Sequence, residues 1–166
     1  VVAPDTAPPA TPEALRQQGA QAWMLRVCRE LDDALCHLRF NEETCGLVLL
    51  ATEGDAARVL AWDHCLYEMR QDWFAREILL YAARTLRRLD LTARSLFAVA
   101  EPGSCFAGTL LELALAADRT YALDDPKVRF ATSPLNGGAD PMSHGLTRLG
   151  SRRMEDPEGV EAVLDG

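Results

Sequence analysis

The chain has 166 residues and a mass of 18.2 kDa, with 48% hydrophobic and 25% charged residues, values that suit one soluble globular domain. Seventeen Lys and Arg against 25 Asp and Glu leave a formal charge of -8, which disfavours a protein whose main work is gripping nucleic-acid phosphates. No apolar run reaches the roughly 20 residues that cross a bilayer, and the first residues lack the basic and apolar blocks of a signal peptide. The expectation is a cytoplasmic protein with neither a nucleic-acid nor a membrane partner.

Taken in chain order, Val1 to Pro12 holds four prolines, a composition that predicts an extended linker or trimmed end. Thr11-Pro12-Glu13 then supplies a cap, a proline at the first helical position and an acid in the first turn. The helix that follows is broken at Gly19. Beyond it, Met24, Val27, Cys28, Leu31, Leu35 and Leu38 recur at three- and four-residue steps and face a core. Residues 46–51, Gly-Leu-Val-Leu-Leu-Ala, read as a buried parallel strand. A long helix is expected from about Leu66 to Leu89, and a second buried strand over Ser95 to Ala100. After a small-residue loop, Thr109 to Ala117 is strongly helical. Two short strands are expected at 120–123 and 128–131, around Asp124-Asp125-Pro126, and a short helix near Leu146. Met154 to Gly166 is an acidic tail, expected to fray or dock loosely. Helices alternating with buried strands predict an α/β fold.

The five cysteines (Cys28, Cys36, Cys45, Cys65 and Cys105) are odd in number and scattered, which reads as reduced thiols rather than disulfides or a zinc site. No His, Asp or Glu group has ligand spacing, so no metal is expected. Lys127 is the only lysine, and nearly every cation is therefore a guanidinium.

The segment from Glu101 to Asp118 is the most informative. A buried strand delivers the chain to small residues that open directly onto a helix, leaving backbone N–H groups at Gly108 and Thr109 where the helix dipole is positive. Such amides can hold a developing oxyanion. Glu112 sits one turn in among leucines, either solvated or desolvated with a raised pKa that suits proton transfer. Glu101 closes the strand, as a second carboxylate or a solvated strand-end acid.

Gly103-Ser-Cys-Phe-Ala-Gly108 followed by Glu112-Leu-Ala-Leu-Ala-Ala-Asp118 resembles the signature of the crotonase (enoyl-CoA hydratase/isomerase) superfamily, within which the likeness is nearest to its ring-opening branch. The resemblance covers about residues 16–150. It implies the ClpP/crotonase spiral of ββα units, here incomplete at both ends, with a partial domain over 13–153. It implies an acyl-CoA thioester as substrate, CoA entering only as part of it and no other cofactor. The activity implied is a lyase opening a dihydroxylated benzoyl-CoA ring with loss of formate. An enoyl-CoA hydratase/isomerase and a non-catalytic fragment or interaction subunit stand as alternatives. It implies a dimer or trimer, or attachment to the remainder of a larger chain.

For the site, the resemblance implies an oxyanion hole with one amide from Gly108 or Thr109 and the other from Trp62, in a loop ahead of Asp63. Glu112 maps onto the family's helix glutamate, a general acid/base. Asp63, His64 and Cys105 lie where they would border substrate. Pro134 stands where the family's second glutamate falls, which argues against hydration by two carboxylates.

Overall fold

The computed structural model describes residues 1–164. Its elements are α1 (Pro12–Gln18), α2 (Trp23–Asn41), β1 (Leu47–Leu50), α3 (Ala56–Glu68), α4 (Trp73–Asp90), β2 (Ser95–Ala100), α5 (Leu111–Ala116), β3 (Arg119–Ala122), α6 (Arg148–Arg152) and α7 (Pro157–Leu164). Short 3-10 turns occupy Gly19–Gln21, Gly108–Leu110 and Pro134–Gly137.

The architecture is α/β. The strands form one parallel sheet in the order β1-β2-β3, with Leu50 opposite Ala98 and Ala100 opposite Ala122. Because side chains alternate across a strand, one face carries Leu50, Leu96, Ala98 and Ala100 into the core, while Leu47, Leu49 and Tyr121 remain exposed on the other. Asp118, the last residue of the motif, fixes the junction of α5 and β3. Its amide donates to Leu96 O at 2.8 Å and its carboxylate accepts from the Leu96 amide at 2.8 Å. No helix among the described residues is long and apolar enough to cross a membrane.

Four expectations are corrected. The strand expected to be buried at 46–51 is covered on one face only, with Leu47 and Leu49 exposed. The single helix over 66–89 is two helices. Asp72 accepts from the Phe74 amide at 3.0 Å and caps α4, ending the run that began at Asp55, which caps α3 through the Ala57 amide at 2.9 Å. The strand at 128–131 is reduced to one parallel bridge, Ala107 to Ala131. The proline-rich start is not a free linker. Val1, Val2 and Ala3 pair in parallel with Ala51 and Glu53, and the indoles of Trp23 and Trp62 donate to the carbonyls of Val2 and Thr6 at 3.2 and 3.1 Å. Prolines suppress helix here, yet leave carbonyls free to accept from buried donors. In the acidic tail, residues 157–164 form α7, and its last two residues lie outside the described range.

Candidate active site

The helix-opening loop is held at every amide that the sequence singles out. After β2, Ser104 N donates to Glu101 O at 2.9 Å, closing a turn, and Cys105 N donates to Thr52 Oγ1 at 2.9 Å. The Gly108 amide donates to Ala131 O at 2.9 Å. The Thr109 amide donates to Asp63 Oδ2 at 2.6 Å, and the Thr109 hydroxyl to Asp63 Oδ1 at 2.9 Å. Ser133 Oγ adds a third bond to Asp63 Oδ2 at 2.8 Å. Asp63 is thus a buried carboxylate seated on the positive end of the Gly108–Leu110 turn, the place where an anion is favoured.

This geometry corrects the predicted oxyanion pair. Trp62 is not in a loop but inside α3, where backbone amides are spent on the helical ladder. Val59, Trp62, Asp63 and Leu66 form its buried stripe, and the Trp62 ring packs 6.0 Å from that of Trp23. With the Gly108 and Thr109 amides also engaged, the structure brings no free pair of amides together at Trp62, Gly108 and Thr109. The other predicted residues separate as well. His64 is exposed on α3, away from the buried stripe. Cys105 is fully buried, and burial raises its thiol pKa. Glu101 is exposed at the carboxyl end of β2, beside a cleft it shares with Glu53, and makes no hydrogen bond to Glu112.

Glu112 is buried as the desolvated alternative requires, but both of its oxygens are occupied. Asn136 Nδ2 donates to Oε1 at 2.6 Å and Arg148 Nη1 to Oε2 at 3.0 Å. Arg148 grips Asp90 through two bonds, Nε to Oδ1 at 2.9 Å and Nη2 to Oδ2 at 2.7 Å, and donates to Asp140 O at 3.0 Å. Asn136 also donates to Gly108 O at 3.0 Å and accepts from the Ser133 amide at 2.8 Å. One network therefore joins α3, α4, α5, the Ser133–Asn136 turn and α6.

Its charges do not balance. A single guanidinium, Arg148, meets Asp90 and Glu112, with the carboxyls of Asp63 and Asp140 buried nearby. Burial pushes Asp63 up to about 6, against the pull of its Ser133 and Thr109 bonds. Asp140 goes to about 8, first through burial and then through the charges of Glu112 and Asp63, and neither of its oxygens has a hydrogen-bond partner among the described residues. Glu112 is raised by burial, with Asn136 and Arg148 opposing. Burial works against the Arg148 charge, but Asp90 and Glu112 outweigh it and hold its pKa above the ordinary value. A carboxyl whose folded pKa is raised contributes most to stability below its ordinary pKa. That contribution falls as pH climbs to the folded value, so Asp140 and Asp63 together make the fold less stable between about pH 4 and pH 8.

Asp63, Ser133, Asn136, Asp90 and Arg148 were not legible as a network from sequence. The Val59-Trp62-Asp63-Leu66 spacing signals a helix with Asp63 on its inner face, and Ser133-Pro-Leu-Asn136 is a capping box. The Arg148–Asp90 pair, 58 residues apart, leaves no local signal. Among the described residues, no group of three or more His, Cys, Asp or Glu is placed to hold a metal.

No protein-family profile matches the chain. Over 165 residues it is 46% identical to benzoyl-CoA-dihydrodiol lyase of Aromatoleum evansii. The alignment takes in 98% of this chain and 30% of that protein, so the chain is similar, along nearly its whole length, to a portion of a lyase about three times as long.

Proposed function

We propose that the chain serves a crotonase-type lyase that acts on a CoA thioester and opens the ring of a dihydroxylated benzoyl-CoA derivative with loss of formate. The identity of 46% along 98% of the chain carries this reading, at a level where fold and chemistry are commonly retained. Within that enzyme the buried network acts as a frame. Asp63 fixes the amide of Thr109, and Arg148 with Asn136 fixes Glu112, so that the loop from Glu101 to Gly108 is held between α3 and α5. Glu112 is then a positioning residue rather than the proton carrier.

A second reading is favoured by one observation. The amides of Gly108 and Thr109 are already taken, by Ala131 O and by a carboxylate. An oxyanion placed there would face Asp63 rather than free donors. On this reading the stretch is a non-catalytic crotonase-like part that supports chemistry carried out by other residues.

The test is formate release by the protein that carries this sequence, assayed on 2,3-dihydro-2,3-dihydroxybenzoyl-CoA. Turnover is expected, with Glu112→Gln lowering the melting temperature but leaving kcat within about threefold. Absence of formate with hydration of crotonyl-CoA instead would contradict the lyase reading. A loss of kcat above a hundredfold in Glu112→Gln, at unchanged melting temperature, would return Glu112 to the role of acid/base.

A further inference from the structure

Residues 138–147 hold neither helix nor strand, and Asp140 is the only one of them that is buried, at 3% exposure. Ser143, His144, Gly145 and Leu146 stand in solvent. A surface segment is ordinarily pinned to a core by an apolar side chain. Here the pin is a carboxyl, and neither of its oxygens has a hydrogen-bond partner among the described residues. Only its main-chain carbonyl is served, accepting from Arg148 Nη1 at 3.0 Å.

The hydrogen bonds beyond Asp140 are internal to the segment. Met142 N donates to Leu146 O at 2.9 Å, Gly145 N to Met142 O at 3.0 Å and Leu146 N to His144 Nδ1 at 3.4 Å. These bonds travel with the segment when it lifts. On one side the Gly138 and Ala139 amides are tied to Leu135 O at 3.3 and 3.0 Å. On the other, Thr147 Oγ1 accepts from the Gly150 amide at 2.9 Å and caps α6. Residues 140–146 therefore form a strap strung between two fixed points.

Five helices present titratable or charged groups to the Asp140 carboxyl. Glu112 comes from α5, Asp63 from α3 and the Cys28 thiol from α2, and the charges of the two acids oppose ionisation of Asp140. Arg148 of α6 and Arg87 of α4 favour it. Arg148, however, spends its bonds on Glu112, Asp90 and the Asp140 carbonyl, and Arg87 acts through its charge. Burial and the two acids prevail.

We propose that the strap is latched by a neutral Asp140 and swings into solvent when that carboxyl ionises. A carboxylate with no donor is costly to keep in the interior. Lifting the strap gives up one hydrogen bond to the body, that from Arg148 to the Asp140 carbonyl. Release thereby loosens the guanidinium that holds Glu112. The sign follows from a carboxyl raised from 3.8 to about 8 in the closed form. Closure is strongest below the ordinary value, weakens as pH climbs, and weakens no further above about pH 8. The device belongs to the fold and does not depend on which reaction the protein serves.

Methionine-methyl NMR across pH tests it, with Met142 reporting on the strap and the fully buried Met24 on the core. The measurement is made in His144→Gln, which removes the imidazole that the strap itself carries. The Met142 methyl is expected to sharpen and move to its unfolded-chain position as pH rises towards 8, with Met24 unchanged. Protease cleavage before Leu146, scaled to cleavage of the isolated peptide at the same pH, is expected to rise about tenfold per pH unit at most. Adding Asp140→Asn should abolish both responses; Asp140→Leu, which leaves no unpaired polar group, should do the same. A Met142 signal that ignores pH, or that responds equally in both Asp140 variants, would overturn the proposal. So would Met24 moving together with Met142, since ionisation would then unfold the core rather than free the strap.

Discussion

Replacing Arg148 with Met is expected to cost about 4 kcal/mol of folding stability, the range found when one partner of a buried ion pair is removed. For a chain of this size that lowers the melting temperature by about 12 °C. The guanidinium, 1% exposed at its side chain, is the only cation in direct contact with Glu112 and Asp90 among the described residues. Methionine fills the space but strands two buried carboxylates, and Asn136 and the Asp140 carbonyl keep only part of their bonding. The loss should be greater at pH 8 than at pH 5. Without Arg148 the Glu112 carboxyl loses the charge that opposes its burial, so its folded-state pKa rises further, and a raised carboxyl contributes less stability as pH climbs through that value. Combining Arg148→Met with Glu112→Gln should recover a measurable part of the loss at pH 8, which chemical denaturation of the single and double variants would show. Equal stability of the parent and Arg148→Met would refute a frame built on this pair.

Gly108→Ala is expected to cost about 3 kcal/mol or more, again by denaturant titration. Two effects add. Gly108 sits at φ 49°, a conformation that L side chains rarely adopt. Its Cβ would also overlap Asp63 Oδ2 and lie 3.1 Å from Ser133 Oγ. Neither neighbour can give way easily, since both are fixed by the bonds that hold the Thr109 amide. Gly103 provides the control. It also has positive φ, 98°, but a Cβ there would meet nothing within 4 Å, so Gly103→Ala should cost only about 1 kcal/mol. If the two substitutions cost the same, the close approach of Asp63 to the loop is not what Gly108 serves.

What the sequence made legible was local. The stretch from Ser95 to Asp118 reads correctly as strand, small-residue loop and helix, because the apolar run, the glycines and the leucine-rich turn each act within a few residues. Pattern alone leaves Glu112 either solvated or buried, and only its partners decide between them: Asn136, 24 residues away, and Arg148, 36 residues away. The resemblance to the crotonases puts Trp62 in a loop, although the capping Asp55 and the four- and three-residue steps of Val59, Asp63 and Leu66 favour a helix. The apolar periodicity runs on across the break between α3 and α4, and the local signal that divides them is Asp72, whose side chain starts the second helix. Pro134, read as the loss of a catalytic acid, has a structural part to play. It opens the turn whose cap, Ser133, bonds Asp63 and whose third residue, Asn136, bonds Glu112.

Seating of the Asp63 carboxylate on the Thr109 amide is the contact from which the rest of the network follows, and amide NMR across pH reads it directly. A bond of 2.6 Å to a carboxylate should move the Thr109 amide proton well downfield and protect it from exchange. That shift should change with an apparent pKa of about 6, the value to which burial raises Asp63, and the titration should vanish in Asp63→Asn. A Thr109 amide with an ordinary shift, rapid exchange and no response to pH would mean that the amide is free, and the frame described above would not exist.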